Sequence, residues 1–188
     1  MRRIWNQKKT DVEAQRLKPK GSPSRIRLQK DMSELEPASD TDITFPDASD
    51  PTRFNVVYRP AQGYYEGGEF RFTFEITDSF PHDAPKVLCS QTIYHPNIDV
   101  EGHVCLNVLR EDWNPVLNIQ SVIFGLKMLF LEPNPEDPLN KEAALLMIEN
   151  KTRFAHVVRE SMRGERIGGV SYQNVMDPKW KVNKHLGA

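Results

Sequence analysis

The chain has 188 residues, 38% of them hydrophobic and 27% charged, enough for one domain with a core of its own plus tails. It contains no run of about 18 apolar residues that would suggest a bilayer span, and its opening Met1-Arg2-Arg3-Ile4-Trp5 lacks the apolar stretch of a secretory signal. The net charge of −1 hides an asymmetry: residues 1–30 carry ten Lys or Arg against two Asp or Glu, so a basic arm precedes an acidic body.

Such an arm suits nucleic acid, an acidic protein surface, or nothing but solvent. Asp11 and Glu13 argue against a transit peptide. Residues 1–21 show little apolar periodicity and read as a flexible extension. Within it Ile4 and Trp5 stand out, because a tryptophan at such a terminus hints at docking. Two cysteines, Cys89 and Cys105, without a Cys-x-x-Cys pair give no disulfide framework. Reduced thiols, hence a cytoplasmic and nuclear setting, are the expectation.

A first helix is expected from Ser22-Pro23 or Ser24, where serine caps free N–H groups and proline suits the first turn. Leu28, Met32 and Leu35 form its core stripe, Arg25, Arg27 and Lys30 leave the rest basic, and Pro37 ends it. Four strands follow: Ile43–Phe45, a run on Phe54, Val56 and Tyr58, a run on Phe70, Phe72, Phe74 and Ile76, and Val87–Cys89. Their short, Gly- and Pro-rich connections favour an antiparallel meander over parallel crossovers. Residues 90–117 look irregular. Asn118 then caps a helix with Ile119, Val122, Ile123, Leu126, Leu129 and Phe130 on one face. The prolines of 133–138 break it. Asn140 caps a third helix over 141–149, and a fourth over 152–163 buries Phe154, Val157, Val158 and Met162 before Gly164. Residues 166–188 are weakly patterned and read as a loosely packed tail. The fold class is therefore α+β, with a core over 22–165.

The chemistry concentrates in 93–113, which holds His95-Pro96-Asn97 and, eight residues after Asn97, Cys105. Zinc would accept Cys89, His95, His103 and Cys105, but their spacings match no common finger or ribbon. A cysteine hydrolase needs a histidine base, and nothing in the order of residues sets His82, His95, His103 or His156 beside Cys105. A thiol that carries an acyl group as a thioester, with a neighbouring amide to steady an oxyanion, fits the same residues. Cys89 ends a strand and reads as buried and inert. No Gly-x-x-x-x-Gly-Lys nucleotide motif is present.

Phe80-Pro81 with Pro85-Lys86, Tyr94-His95-Pro96-Asn97, Gly102 with Cys105-Leu106, Trp113-x-Pro115 and Pro133-Asn134-Pro135-x-Asp137-Pro138-Leu139 occur in the order found in ubiquitin-type conjugating enzymes, and residues 23–165 resemble that family. Leu109–Trp113, Phe130–Pro135 and Asp137–Ala144 look most like its branch for the Nedd-type modifier, and the extended N-terminal tail agrees. Ala84 replaces the first of the family's usual two prolines, and Phe80 stands where tyrosine is commoner.

The resemblance implies the ubiquitin-conjugating fold: an N-terminal helix, a four-stranded antiparallel meander and three further helices. It implies that Cys105 takes a ubiquitin-like modifier from a heterodimeric activating enzyme as a thioester and passes it to a target lysine, with cullins as substrates. Asn97 would donate to the oxyanion or fix its own loop, and Asp137 would orient the lysine. His95 resembles a structural position whose imidazole bonds backbone. Activating-enzyme docking would fall to Met1, Ile4, Trp5, Arg25, Arg27 and Lys30, and binding of a RING-type ligase to His82, Pro115 and Val116. The family's acetylated Met1 enters a co-ligase, but Arg2 here replaces the usual apolar neighbour, which weakens that expectation. The resemblance implies no metal and no cofactor, with ATP used only by the activating enzyme, and a monomer that binds neither nucleic acid nor membrane. A ubiquitin-conjugating enzyme of the same chemistry, or a non-catalytic adaptor for modifiers or ligases, are the alternatives. Adaptor relatives lack the active cysteine, and Cys105 is present.

Overall fold

A computed structural model describes residues 21–36 and 38–178. The expectations for Met1, Ile4 and Trp5, for Pro37 and for residues 179–188 fall outside the described residues.

Helix α1, Pro23–Ser33, starts as its sequence dictates: the Ser22 hydroxyl accepts the Arg25 N–H at 3.4 Å, and Pro23 occupies the first turn. Leu28 is buried, while Met32 and Leu35 pack half-buried against the same core. The helix stops at Ser33, ahead of the expected Pro37, where the Glu34 N–H turns back to the Lys30 and Asp31 carbonyls.

Strands β1 (Thr41–Thr44), β2 (Arg53–Tyr58), β3 (Phe70–Glu75) and β4 (Lys86–Cys89) form one antiparallel sheet in chain order. The register sets Phe54 opposite Phe74, Val56 opposite Phe72 and Tyr58 opposite Phe70, with Val87 and Cys89 facing Phe74 and Phe72. Because side chains alternate across a strand, this register gathers every one of these groups on one face. Helix α2, Ile119–Leu131, covers that face. Asn118 and Ser121 cap each other's backbone at its start, and all six residues of its apolar stripe are buried. Phe130 sits at the centre, its ring 4.5–5.9 Å from those of Phe70, Tyr65, Tyr58 and Phe72.

Helices α3 (Lys141–Glu149) and α4 (Lys151–Met162) follow, capped by Asn140 and Asn150. On α4, Phe154, Val158 and Met162 are buried but Val157 only half so. The irregular stretch between β4 and α2 holds a single 3-10 turn, Asn107–Leu109, which packs on α2 where Gly125 leaves room for Leu106 and Val108.

The chain departs from expectation after 165. Residues 166–178 are part of the folded body rather than a loose tail. Strands β5 (Arg166–Ile167) and β6 (Val170–Ser171) form a hairpin that turns on Gly168 and Gly169, both at positive φ. Beyond it Tyr172 and Val175 are buried. The Val175 carbonyl accepts the Glu69 N–H at 2.7 Å, and the Gln173 N–H donates to the Thr92 carbonyl at 3.1 Å.

Candidate active site

His95, Pro96 and Asn97 each hold a different piece of the molecule. His95 is fully buried between the rings of Tyr65 and Phe130, 4.8 and 5.0 Å away. Its Nδ1 accepts the Asn97 N–H at 2.9 Å, so the proton sits on Nε2, which donates to the Leu129 carbonyl at 3.2 Å. Burial pushes its pKa down from 6.5 to about 3, a fall that the bond to Leu129 only partly opposes. The ring is therefore neutral and structural, in keeping with the backbone-bonding role expected of it. The Pro96 carbonyl accepts both the Leu139 and Asn140 N–H groups at 2.9 Å.

Asn97 reaches the same loop from the side. Its Nδ2 donates to the carbonyls of Asn134 at 2.6 Å and Asp137 at 3.1 Å, and its Oδ1 accepts the Asn134 N–H at 2.8 Å. Both amide protons are engaged, so donation to an oxyanion requires this side chain to release one of its loop bonds. Of the two roles open to Asn97 in the sequence, bracing the loop is the one its hydrogen bonds perform here.

The Asn97 carbonyl accepts the Cys105 N–H at 2.8 Å, closing a short hairpin that seats the thiol beside the braced loop. Gly102 makes this closure possible. Its φ is +93°, its carbonyl accepts the Cys89 N–H at 2.8 Å, and a Cβ there would lie 2.1 Å from the Cys89 oxygen. Across the resulting cleft the Cys105 thiol donates to Asp137 Oδ2 at 2.9 Å. Residues 32 apart in sequence thus meet as the nucleophile and carboxylate of one site.

Cys105 is only 6% exposed, and burial is the main reason its thiol is pushed up to about 11. The bond to Asp137 and the charges of Asp137 and Glu111 push the same way, while the Arg110 guanidinium opposes them. Arg110 and Glu111 were given no role from sequence. They lie immediately after the short 3-10 turn that follows Cys105, close enough in sequence to act on its thiol. Cys89 is buried and donates to the Gln91 carbonyl at 3.3 Å, and burial raises its thiol to about 11 as well. Of the four residues weighed as zinc ligands, His95 already has both ring nitrogens engaged and His103 Nδ1 faces Asp99 at 2.8 Å.

The site is thus a cysteine bonded to a carboxylate rather than to an imidazole, on a four-stranded meander backed by α2. The family model for ubiquitin-conjugating enzyme matches residues 27–162. The chain belongs to the ubiquitin-conjugating enzyme family. It is 50% identical over 179 residues to the NEDD8-conjugating enzyme ubc12 of Schizosaccharomyces pombe, covering 94% of this chain and 99% of that one. It is 46% identical over 170 residues to the Nedd8-conjugating enzyme UbcE2M of Drosophila melanogaster, covering 90% of this chain and 94% of that one. The solved structure of S. cerevisiae Ubc12 superposes with a TM-score of 0.81 at 42% identity, covering 94% of this chain and 98% of that one.

The surface residues expected to bind partners in this conjugating-enzyme fold fall in two groups. His82 and Pro115 are exposed and Val116 is 88% exposed. Their loops are tied together where Trp113 Nε1 donates to the Pro81 carbonyl at 3.0 Å. On α1, Arg25 and Lys30 are exposed, pairing loosely with Asp50 at 3.4 Å and Glu34 at 3.8 Å. Arg27 is different: its guanidinium is drawn inward to Asp31, Pro115 and Leu117.

Proposed function

We propose that this chain conjugates a NEDD8-type modifier, taking it from an activating enzyme onto Cys105 and passing it to a lysine of a target protein, with cullins as the substrates. The observation that carries the chemistry is the Cys105 thiol set 2.9 Å from the Asp137 carboxylate on a loop braced by Asn97. The similarity to NEDD8-conjugating enzymes over almost the whole chain supports the choice of modifier.

In the loading step the Cys105 thiolate attacks the carbonyl carbon of the activating enzyme's thioester. A new C–S bond forms to Cys105, the old C–S bond breaks, and the departing thiolate takes up the proton that Cys105 lost. In the discharge step a neutral lysine amine attacks the Cys105 thioester. The C–N bond forms, the C–S bond breaks, and Cys105 leaves as a thiolate that takes up the proton shed by the new amide nitrogen. Once loading has removed the thiol proton, the Asp137 carboxylate is free to accept a hydrogen bond from the incoming ammonium and take its proton. The same group that holds the resting thiol then serves the acceptor lysine. Activating enzyme, RING-type ligase and co-ligase are the protein partners of this reading.

The test incubates the full chain with ATP, NEDD8 and the NEDD8-activating enzyme, and in parallel with ubiquitin and its activating enzyme, followed by non-reducing gels. A thiol-sensitive adduct with NEDD8 is expected. Cys105→Ala should abolish it, Cys105→Ser should convert it to a reductant-stable ester, and Cys89→Ala should leave it intact. An adduct with ubiquitin alone overturns the modifier, and loss of the adduct in folded Cys89→Ala overturns the nucleophile.

A further inference from the structure

Arg27 lies on α1 among residues that read as a basic docking face, yet its donors point into the molecule. Its Nε donates to Asp31 Oδ1 at 2.7 Å, its Nη1 to the Pro115 carbonyl at 2.7 Å and its Nη2 to the Leu117 carbonyl at 2.5 Å. Its guanidinium carbon lies 5.6 Å from the centre of the Phe80 ring, which in turn is 5.9 Å from that of Trp113. Asp31 is 3% exposed, and its second oxygen accepts the N–H of Ile119, the first residue of α2, at 3.2 Å. Pro115 and Leu117 are the two neighbours of Val116, so one planar fork holds the carbonyls on both sides of the most exposed large apolar side chain among the described residues.

We infer that Arg27 is a positioning residue for the ligase-binding loop and not a docking cation: by clamping the carbonyls that flank Val116 it fixes that side chain outward, with Asp31 as its buried counter-ion. The inference rests on the ligase role proposed above for this loop. Three features of the network bear on it. The guanidinium charge is met by Asp31 and by two carbonyl dipoles, so little of it is left for a partner. The surface offered at this end is then the apolar Val116 rather than a charge. And since Asp31 also bonds the start of α2, movement of α1 is transmitted both to this loop and to the helix beneath the 3-10 turn that follows Cys105. Lysine cannot replace the clamp, because one ammonium does not reproduce three donors in a plane.

The experiment uses the full chain with Arg27→Met, Arg27→Lys and Val116→Asp. It measures amide exchange over residues 114–118, thioester loading by the activating enzyme, and discharge to free lysine with and without a RING-type ligase domain. Arg27→Met should speed exchange over 114–118 and cut the ligase-stimulated rate about three- to tenfold, within the span usual for coupling through a packed network. Loading and ligase-free discharge should stay within about twofold, since no reacting atom is touched. Arg27→Lys keeps a cation opposite Asp31, so it tests the same loop if the methionine variant does not fold. It should show the same directions, more weakly. Val116→Asp should lose ligase stimulation with no change in exchange. Unchanged exchange in folded Arg27→Met, or slowed loading with full ligase stimulation, overturns the positioning role. Full stimulation of Val116→Asp with faster exchange in Arg27→Met overturns the ligase reading of the loop instead.

Discussion

The Cys105 thiol meets a carboxylate where a hydrolase would place an imidazole, and the difference sets when it reacts. Burial, and then the Asp137 bond, keep the proton on sulfur, so the resting thiol holds little thiolate near neutral pH. Asp137 therefore slows attack by the free thiol even as, in the function proposed above, it serves a later lysine. Asp137→Asn should separate the two effects. It removes the charge while leaving intact the Asp137 carbonyl that Asn97 holds. Well below its pKa, each unit by which a thiol falls raises its thiolate tenfold and lowers its nucleophilicity about threefold, a net gain of about threefold. Alkylation of Cys105 by iodoacetamide at pH 8, in a Cys89→Ala background, should thus speed up in Asp137→Asn while discharge of the loaded thioester to lysine slows. Alkylation that is unchanged or slower would mean that the carboxylate does not hold the proton. The wild-type alkylation rate should keep rising with pH up to about 11.

At the scale of elements, legibility followed locality. Phe70, Phe72 and Phe74 announced β3 because a strand's period is two, and the six-residue stripe of α2 announced a helix because its residues recur at the helical period. The caps Ser22, Asn118, Asn140 and Asn150 set three helix starts as expected and moved the fourth by one residue. Cys105 stands out on its own residues, but its pairing with Asp137 comes only from a family resemblance, because no local pattern brings a hairpin and a proline-rich loop together. That step needs the carbonyls and amide of Pro96 and Asn97. The hairpin β5–β6 escapes a sequence reading because its strands are two residues long and the segment after it is anchored where Gln173 and Val175 bond the backbone of Thr92 and Glu69, far away in sequence. Truncation tests its weight. Ending the chain after 178 should leave the melting temperature unchanged within a few degrees. Ending it after 165 removes two buried side chains, Tyr172 and Val175, at about 1.5–3 kcal/mol each, and exposes the Tyr94 ring that Tyr172 packs against. The shorter chain should melt at least about 6 °C lower, taking about 2–4 °C per kcal/mol for a chain of this size. Equal melting of the two truncations would return 166–178 to the status of a tail.

For the whole molecule, His95 is the joint at which sheet-side rings, α2 and the active-site loop meet, and it gives the fold an acid limit. The unfolded chain protonates this histidine at its ordinary value near 6.5, while the folded chain, holding the ring neutral by burial, resists until about 3. Between those values the unfolded state binds a proton that the folded state does not, so stability falls as pH falls, by about 1.4 kcal/mol per pH unit. The carboxyls of Asp40, Glu69 and Asp99 act in the same direction but lower. Burial raises each, and bonds to Lys127, to Arg71 and Arg59, and to His103 bring each below its ordinary value of 3.8 or 4.5. Their contribution fades only as pH drops through that range, which leaves pH 6.5 to 5 as the window in which His95 dominates. Urea unfolding of the full chain should lose about 2 kcal/mol between pH 7.5 and pH 5 through this one group. His95→Gln should be less stable at both pH values, since it vacates a ring site between Tyr65 and Phe130, yet show a nearly flat dependence across the window. A variant that keeps the wild-type slope would place the titrating group elsewhere, and His95 would then be a packing residue with no part in setting the acid limit.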